Sequence, residues 1–182
     1  MEKKIVQTLL AVDSVWSLGV GLFFPIFAIF SSQVGGDITD AGTAAAIFIF
    51  VTSILEYPIG KLLDHFHEKY FLVFDYLIEG IVFIGYIFVD SIYELFILQI
   101  LLGIANAFGD PAWESMYDKS TPINKSGSAW ANAHFFVGIF NAIGIILGSY
   151  IVSIYGFSSV FFIGAVLSFL ASGLAAYYIK KV

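Results

Sequence analysis

Six apolar runs, each long enough to cross a lipid bilayer as a helix, occupy nearly all of this 182-residue chain. A helix needs about 20 apolar residues to span the hydrocarbon layer, and the polar breaks between the runs are short. The sequence therefore predicts an all-α integral membrane protein, with a single six-helix transmembrane domain over residues 1–182. The predicted spans are residues 7–30, 42–63, 70–89, 93–117, 127–154 and 158–179.

The composition excludes several kinds of function. Hydrophobic residues make up 59% of the chain and charged residues 12%, against about 45–50% and about 25% in soluble domains. The formal charge is −6 and there is no arginine, so the chain lacks the basic surface that binds nucleic acid. There is no cysteine and only three histidines, so we expect no metal site and no cofactor.

The lysines predict an orientation. All eight lie on one side of the predicted topology, and the connections on the other side contain only acidic charges. Positive charges favour the cytoplasmic side of a membrane, so we expect both termini in the cytoplasm and a location in the cell membrane. The lysines are Lys3, Lys4, Lys61, Lys69, Lys119, Lys125, Lys180 and Lys181.

Acidic residues inside the spans indicate a functional pathway. A charged side chain at the centre of a membrane helix costs about 2.5–3.5 kcal/mol even on the lenient scales, so it normally faces a protein interior or a water-filled cavity. Asp75 and Glu114 lie near predicted helix ends, where a position in the headgroup region explains them equally well. The six residues are Asp13, Glu56, Asp75, Glu79, Asp110 and Glu114.

Spacing and depth select a site among the polar residues. In the fourth span, polar and small residues from Gln99 to Tyr117 recur every three or four positions and so share one helix face. At a rise of about 1.5 Å per residue, the carboxylates of Asp13, Glu56 and Asp110 fall at one level, roughly 5–8 Å to the cytoplasmic side of the membrane centre. Carboxylates gathered in a low-dielectric cavity can take up and release protons. The predicted substrate and proton pathway comprises Asp13, Trp16, Glu56, Gln99, Asn106, Asp110, His134 and Asn141.

Two alternatives remain for the less certain members of this set. A single histidine on a membrane helix is more often a hydrogen-bonded packing residue, which is the competing explanation for His134. Tryptophan near a helix end commonly anchors the helix at the interface, which competes with substrate contact for Trp16 and more strongly for Trp130.

The connection between the second and third spans carries a motif. It reads Gly60-Lys61-Leu62-Leu63-Asp64-His65-Phe66-His67-Glu68-Lys69, which resembles the Gly-x-Leu-x-Asp-Arg-x-Gly-Arg-Arg/Lys signature of the major facilitator superfamily. The matching positions are Gly60, Leu62, Asp64 and Lys69, whereas His65, His67 and Glu68 depart from the signature. The resemblance implies a gating role for the four matching residues at a cytoplasmic helix end.

Two further segments are similar to the same family. Gln99-x-x-Leu-Gly103 resembles its Arg-x-x-Gln-Gly element, with glutamine in place of the arginine. The fifth span carries Gly138, Gly144 and Gly148, similar to the family's glycine-rich stretch, and such small residues allow close helix packing.

The resemblance implies half of a familiar architecture. Members of this family usually have twelve spans built from two six-helix halves, and the chain corresponds to one half. We therefore expect a parallel homodimer with a second copy of the chain. A heteromeric partner, or a place within a larger transporter, is the alternative.

We expect a secondary active transporter that works by alternating access. Its coupling ion would be a proton, or alternatively Na⁺, and its substrate a small cationic or neutral solute, drug-like or sugar-like, since carboxylates and aromatic rings favour cations. A passive channel is the alternative. It would need a continuous polar lining, rather than a cluster of carboxylates on one side of the membrane centre. An intramembrane hydrolase could draw on Ser14, Ser17, Asp110 and His134, but no nucleophile elbow or zinc-protease motif is present, so we expect no enzyme.

Overall fold

The computed structural model describes residues 2–178, and it describes the side-chain surroundings of residues 5–177. The lysine side chains at positions 3, 4, 180 and 181 and the end of the sixth predicted span at residue 179 lie outside this description. Within it the chain forms α1 (Glu2–Phe23), α2 (Phe27–Gln33), α3 (Ile38–Leu63), α4 (Glu68–Tyr86), α5 (Ile92–Lys119), α6 (Ser126–Tyr155) and α7 (Phe157–Tyr178).

The first predicted span consists of two helices. A short 3-10 turn, Phe24–Ile26, separates α1 from α2, and Pro25 lies at its centre. Proline lacks the N–H that an α-helix would use, so the helical hydrogen bonding is interrupted there. Pro58 and Pro111 instead lie inside continuous α3 and α5.

Polar residues in the connections fix where helices begin and end. The Asp37 carboxylate accepts hydrogen bonds from the backbone N–H groups of Thr39 and Asp40, and the Asp40 carboxylate accepts one from the Asp37 N–H. This capping box satisfies N–H groups at the start of α3 that have no partner within the helix. Later in the chain, Gly156 has φ 78° and joins α6 directly to α7.

Five segments of the described chain are long and apolar enough to cross a membrane: α1 with α2, α3, α5, α6 and α7. The helix α4, which the sequence predicts as a sixth span, is not among them because it contains the charged residues Glu68, Lys69, Asp75 and Glu79. It packs between α5 and α7, and Asp75 and Glu79 are buried there. Protein on two sides of α4 therefore takes the place that lipid has around an ordinary span.

Close packing of α1 against α6 depends on two glycines. A Cβ atom on Gly144 would overlap the carbonyl oxygen of Leu18, and one on Gly148 would overlap that of Leu22. Both positions belong to the predicted packing stripe. Gly138, the third member, is exposed and has no atom within 4 Å of a Cβ placed on it, so it does not contribute to packing within this chain.

Two hydrophobic clusters divide the bundle. One is rich in aromatic rings, with Phe23, Phe30, Tyr86 and Phe161 in mutual contact at centroid distances of 4.7–6.0 Å. The other includes Leu9, Ile59, Leu72 and Tyr117. The polar site borders the second cluster. It lies in the half of the bundle that contains the α3–α4 connection and the α5–α6 connection.

Candidate functional site

A cavity of about 220 Å³ lies among α1, α4, α5 and α6. Four carboxylates border it, together with three tryptophans, one histidine and one tyrosine. No lysine is among the lining residues, all of which belong to the described part of the chain. The lining residues are Asp13, Trp16, Leu72, Asp75, Tyr76, Gly109, Asp110, Trp113, Glu114, Trp130, Ala133, His134 and Val137.

The carboxylates of the cavity come from three helices and differ in exposure. Asp13 of α1 is 8% exposed and Asp75 of α4 is 2% exposed, so both belong to the inner wall. Asp110 and Glu114 of α5 are exposed and border the open side of the cavity. The cavity therefore leads from two accessible carboxylates to two buried ones.

Asp75 owes its position to a glycine on the neighbouring helix. A Cβ atom on Gly109 of α5 would overlap the Asp75 carboxylate, so the two helices approach closely only because Gly109 has no side chain. The Asp75 Oδ1 atom is buried and has no hydrogen-bond partner among the described residues. Such an atom is unusual, because a buried polar group without a partner costs about 1–3 kcal/mol or more when charged.

A second buried carboxylate lies one helical turn further along α4. Glu79 is 3% exposed, and its Oε2 atom accepts a hydrogen bond of 2.6 Å from the Trp16 indole Nε1 of α1. Trp16 itself borders the cavity and so separates Glu79 from it. This contact links the wall of the cavity on α1 with the acidic face of α4.

Aromatic rings form the opposite side of the cavity. The Trp113 ring stacks on Tyr117 at 4.8 Å with an interplanar angle of 10°, and Trp130 lies edge-on to Trp113 at 5.9 Å. The Tyr117 hydroxyl donates a 2.6 Å hydrogen bond to the backbone carbonyl of Ala129, which ties α5 to α6. The Trp113 Nε1 atom is buried and, like Asp75 Oδ1, has no hydrogen-bond partner in the described chain.

Four of the eight predicted pathway residues border the cavity: Asp13, Trp16, Asp110 and His134. A fifth, Asn106, donates a 3.0 Å hydrogen bond to the Asp110 Oδ1 atom and so positions that carboxylate.

The other three predicted pathway residues lie elsewhere. Gln99 is buried and donates to the Tyr86 hydroxyl at 2.9 Å, within the aromatic cluster. Asn141 donates to the Ser17 carbonyl at 3.4 Å between α6 and α1. Glu56, on α3, is half-buried and does not border the cavity, although its charge interacts with that of Asp110.

One carboxylate of the inner wall, Asp75, is not among the predicted pathway residues. Asp75 was equally well explained as an interfacial residue, yet it is among the most buried polar side chains. Trp130, for which an interfacial anchor was the competing explanation, borders the cavity, and so does Trp113. The available signal was the spacing of Asp75 and Glu79, which lie four positions apart and so share one face of α4.

At the end of the bundle where α3 meets α4, the motif residues are mostly on the surface. Leu62 and Asp64 are exposed, Gly60 is half-buried, and Lys69 lies 5.0 Å from the centre of the Tyr70 ring. Asp64 and Lys69 do not pair with each other in this structure.

The ion pair at this end uses a residue that departs from the motif. Lys119, at the end of α5, donates to Glu68 Oε1 at the start of α4, and this is the one ion pair within the described residues. Ser115 also donates to Glu68, at 3.2 Å. Burial by itself would raise the pKa of Glu68, but the hydrogen bond and the positive charge of Lys119 hold it below its usual value of 4.5.

The site offers acid groups without a metal-binding arrangement. In the part of the chain that the structure describes, no group of three or more histidine, aspartate or glutamate side chains is placed to hold a metal ion. Carboxylates beside tryptophan faces are suited to protons and to organic cations.

A multi-pass helical bundle around an acidic cavity at membrane depth defines the class of protein, an integral membrane transport protein. The chain belongs to the Major Facilitator Superfamily, whose sequence model matches residues 14–182. This assignment agrees with the motif in the connection between α3 and α4, and the family comprises transporters rather than enzymes.

Relatives of two lengths are similar to this chain. The MFS-type transporter YitZ of Bacillus subtilis is 27% identical over 84% of the chain, and the match covers 93% of YitZ. The MFS-type transporter MJ1560 of Methanocaldococcus jannaschii is 28% identical over 85% of the chain, and the multidrug resistance protein MdtG of Serratia proteamaculans is 24% identical over 89%. The chain spans 40% of the length of each of the latter two.

Proposed function

We propose that this chain is a secondary active transporter that works by alternating access as a parallel homodimer and couples transport to protons. The observation that carries the proposal is an acidic cavity that opens on a face of the six-helix unit that no helix of the described chain covers. Membrane transport itself follows from the family.

Proton coupling rests on the charge balance of the cavity. Asp13, Asp75, Asp110 and Glu114 border it, and no lysine neutralises them within the lining. Like charges in a low-dielectric site cannot all remain ionised, so such a cluster binds and releases protons as its surroundings open to water on one side or the other. Asp110 is the natural entry point because it is exposed and its neighbour Asn106 holds it in place. Na⁺ is the alternative coupling ion.

The homodimer rests on polar groups that would otherwise meet lipid. Asp110, Glu114 and His134 lie within predicted spans and are exposed in a single unit. In the most apolar 18-residue stretch of each span, 17% is buried in α3 and 11% in α6, against 50% in the first span. Polar groups at membrane depth are expensive in lipid, so a partner should cover this face and enclose water with it. The length match to YitZ supports a second copy as the partner, and half of a longer or heteromeric transporter is the alternative.

The substrate class follows from the same lining. Carboxylates attract cations, and Trp16, Trp113 and Trp130 offer ring faces that a cation or an apolar surface can contact. A small cationic or neutral solute therefore fits, and an anion does not. Some of the relatives are named for multidrug resistance, which is compatible with a drug-like solute. The lysines at the connections favour an orientation with both termini in the cytoplasm of a cell membrane.

The first test is the mass of the assembly in lipid nanodiscs at high dilution. A stable dimer is expected, and a monomer at every concentration would refute the homodimer.

The second test is flux into proteoliposomes under an imposed pH gradient. Asp110→Asn and Asp13→Asn should abolish gradient-driven transport while the protein stays folded, and Asp90→Asn, in the connection between α4 and α5, is the matched control. Unchanged flux in both cavity variants would remove proton coupling at these residues, and conductance far above transporter turnover would establish a channel instead.

A further inference from the structure

Two residues that line the cavity each carry a buried polar atom with no hydrogen-bond partner among the described residues, and the two atoms are of opposite kinds. Asp75 Oδ1 is a hydrogen-bond acceptor on α4, and Trp113 Nε1 is a donor on α5. Asp75 is 2% exposed and Trp113 is 9% exposed, so bulk solvent hardly reaches either residue. Native proteins rarely leave such atoms unpaired, and each is therefore a point at which a ligand can gain a hydrogen bond.

The charge around these atoms specifies the sign of the ligand. Asp13 and Asp110 border the same cavity as Asp75, and none of its lining residues is a lysine. The Trp16 and Trp130 rings border it as well, and aromatic faces attract cations. A group that donates to Asp75 in these surroundings is best supplied by a cation that carries N–H bonds.

The size of the cavity specifies how much of the ligand it holds. Its volume of about 220 Å³ is below the roughly 300–1,000 Å³ of pockets that enclose drug-sized molecules. The cavity of one unit can therefore enclose a small solute or the polar end of a larger one. The donor on Trp113 requires that this polar end also carry an acceptor such as a hydroxyl.

We propose that the cavity binds a primary or secondary ammonium group with a neighbouring hydroxyl, the ammonium donating to Asp75 and the hydroxyl accepting from Trp113. This inference rests on the proposed transport function, whose substrate class it narrows from cationic or neutral solutes to amino alcohols. It excludes quaternary ammonium ions as good ligands, because they have the charge but no N–H bond. Asp75 and Trp113 are then specificity-determining residues of the transporter.

The chain provides its own reporter for a binding test. It has three tryptophans, and all three border this cavity, so a change in intrinsic fluorescence reports on the cavity rather than on a distant surface. Three probes of equal charge and similar length serve for comparison: N-hexyl-2-aminoethanol, N-hexylpropylamine, which lacks the hydroxyl, and N-hexyl-N,N-dimethyl-2-hydroxyethylammonium, which lacks the N–H. Empty nanodiscs correct for the partitioning of each probe into lipid.

The wild-type protein should prefer the first probe. Hydrogen bonds to a charged partner are strong enough that losing one weakens binding roughly tenfold or more, so the quaternary probe should bind at least tenfold more weakly. The probe without the hydroxyl should bind about threefold to tenfold more weakly, because the Trp113 bond is to a neutral group. Equal affinity for all three probes in the wild-type protein would overturn the proposal without any need for a variant.

Two variants assign the preferences to residues. Asp75→Asn should lower the preference for the N–H probe over the quaternary probe to below tenfold, because the amide oxygen that remains is a neutral acceptor. Asp90→Asn, which removes a carboxylate outside the cavity, should leave the preference intact. Trp113→Phe should remove only the preference for the hydroxyl, with two tryptophans left as reporters. An undiminished N–H preference in Asp75→Asn would overturn the proposal.

Failure of this inference and failure of the proposed function give different results. Selective binding of the amino alcohol without any transport would refute the transporter cycle and support the site. Gradient-driven transport of cations with no selectivity among the three probes would support the transporter and refute the site.

Discussion

Substituting Gly148 with alanine should separate α1 and α6, two of the four helices that form the cavity wall. A Cβ atom at this position would overlap the carbonyl oxygen of Leu22 on α1. That oxygen belongs to a helix backbone, which cannot move aside as the end of a flexible side chain can. The added methyl group must therefore push α6, which carries His134, away from α1, which carries Asp13.

A matched substitution isolates the size of this effect. Gly173 on α7 has no atom within 4 Å of a Cβ placed on it, and α7 lies away from the cavity. Each substitution gains the same helix propensity, about 1 kcal/mol relative to glycine, so that term cancels between the two variants. Gly148→Ala also pays for overpacking, which typically costs about 1–3 kcal/mol. The free energy of unfolding should therefore be about 1–3 kcal/mol lower for Gly148→Ala than for Gly173→Ala.

Reversible unfolding in mixed micelles, followed by circular dichroism, measures both variants under the same conditions. Tryptophan fluorescence of the folded protein should also change in Gly148→Ala, because Trp16 on α1 and Trp130 on α6 both border the cavity. Equal stabilities for the two variants, with an unchanged emission spectrum, would show that α1 and α6 do not pack closely at Gly148.

Three other predictions concern the polar contacts. Trp16→Phe removes the donor to Glu79 and should lower the free energy of unfolding by about 2 kcal/mol, but by only about half as much in a Glu79→Gln background; equal losses in a double-mutant cycle would mean that the bond does not form. The pKa of Glu68 is lowered, so its pairing with Lys119 stabilises the fold above pH 4.5, and this stabilisation is lost as the pH falls through the lowered value. The pair is partly exposed, so the loss should be at most about 1 kcal/mol. Glu68→Gln should abolish this part of the pH dependence of thermal unfolding. Asp64→Asn should lower the maximal rate of transport and leave the apparent substrate affinity nearly unchanged, and a loss of affinity alone would contradict a gating role.

The apolar runs were sufficient to predict the fold class, because the bilayer imposes a nearly fixed helix length. A segment that must satisfy its own backbone hydrogen bonds in lipid has to be helical. The motif that includes Gly60 and Asp64 identified the family independently of the runs, and the family assignment is confirmed. The ends of helices were less certain, since they depend on local features such as the Asp37 cap and the 3-10 turn at Pro25.

The candidate site was only partly predictable. Periodicity along α5 placed Asn106 and Asp110 on one face, and the structure joins them by a hydrogen bond. The same periodicity included Gln99, which lies in the aromatic cluster and donates to Tyr86. A pattern within one helix gives the face of each residue but not the neighbour that the face meets.

Sequence alone determined that this chain has carboxylates at membrane depth and that they must be protected from lipid. Only the tertiary structure decided how each one is protected. Asp75 is buried because Gly109 of another helix leaves room for it, and Glu79 is buried because the Trp16 indole of α1 reaches it. Both contacts join residues on different helices. The packing of those helices is set by the shapes of all their side chains together, which no periodicity within a single segment records.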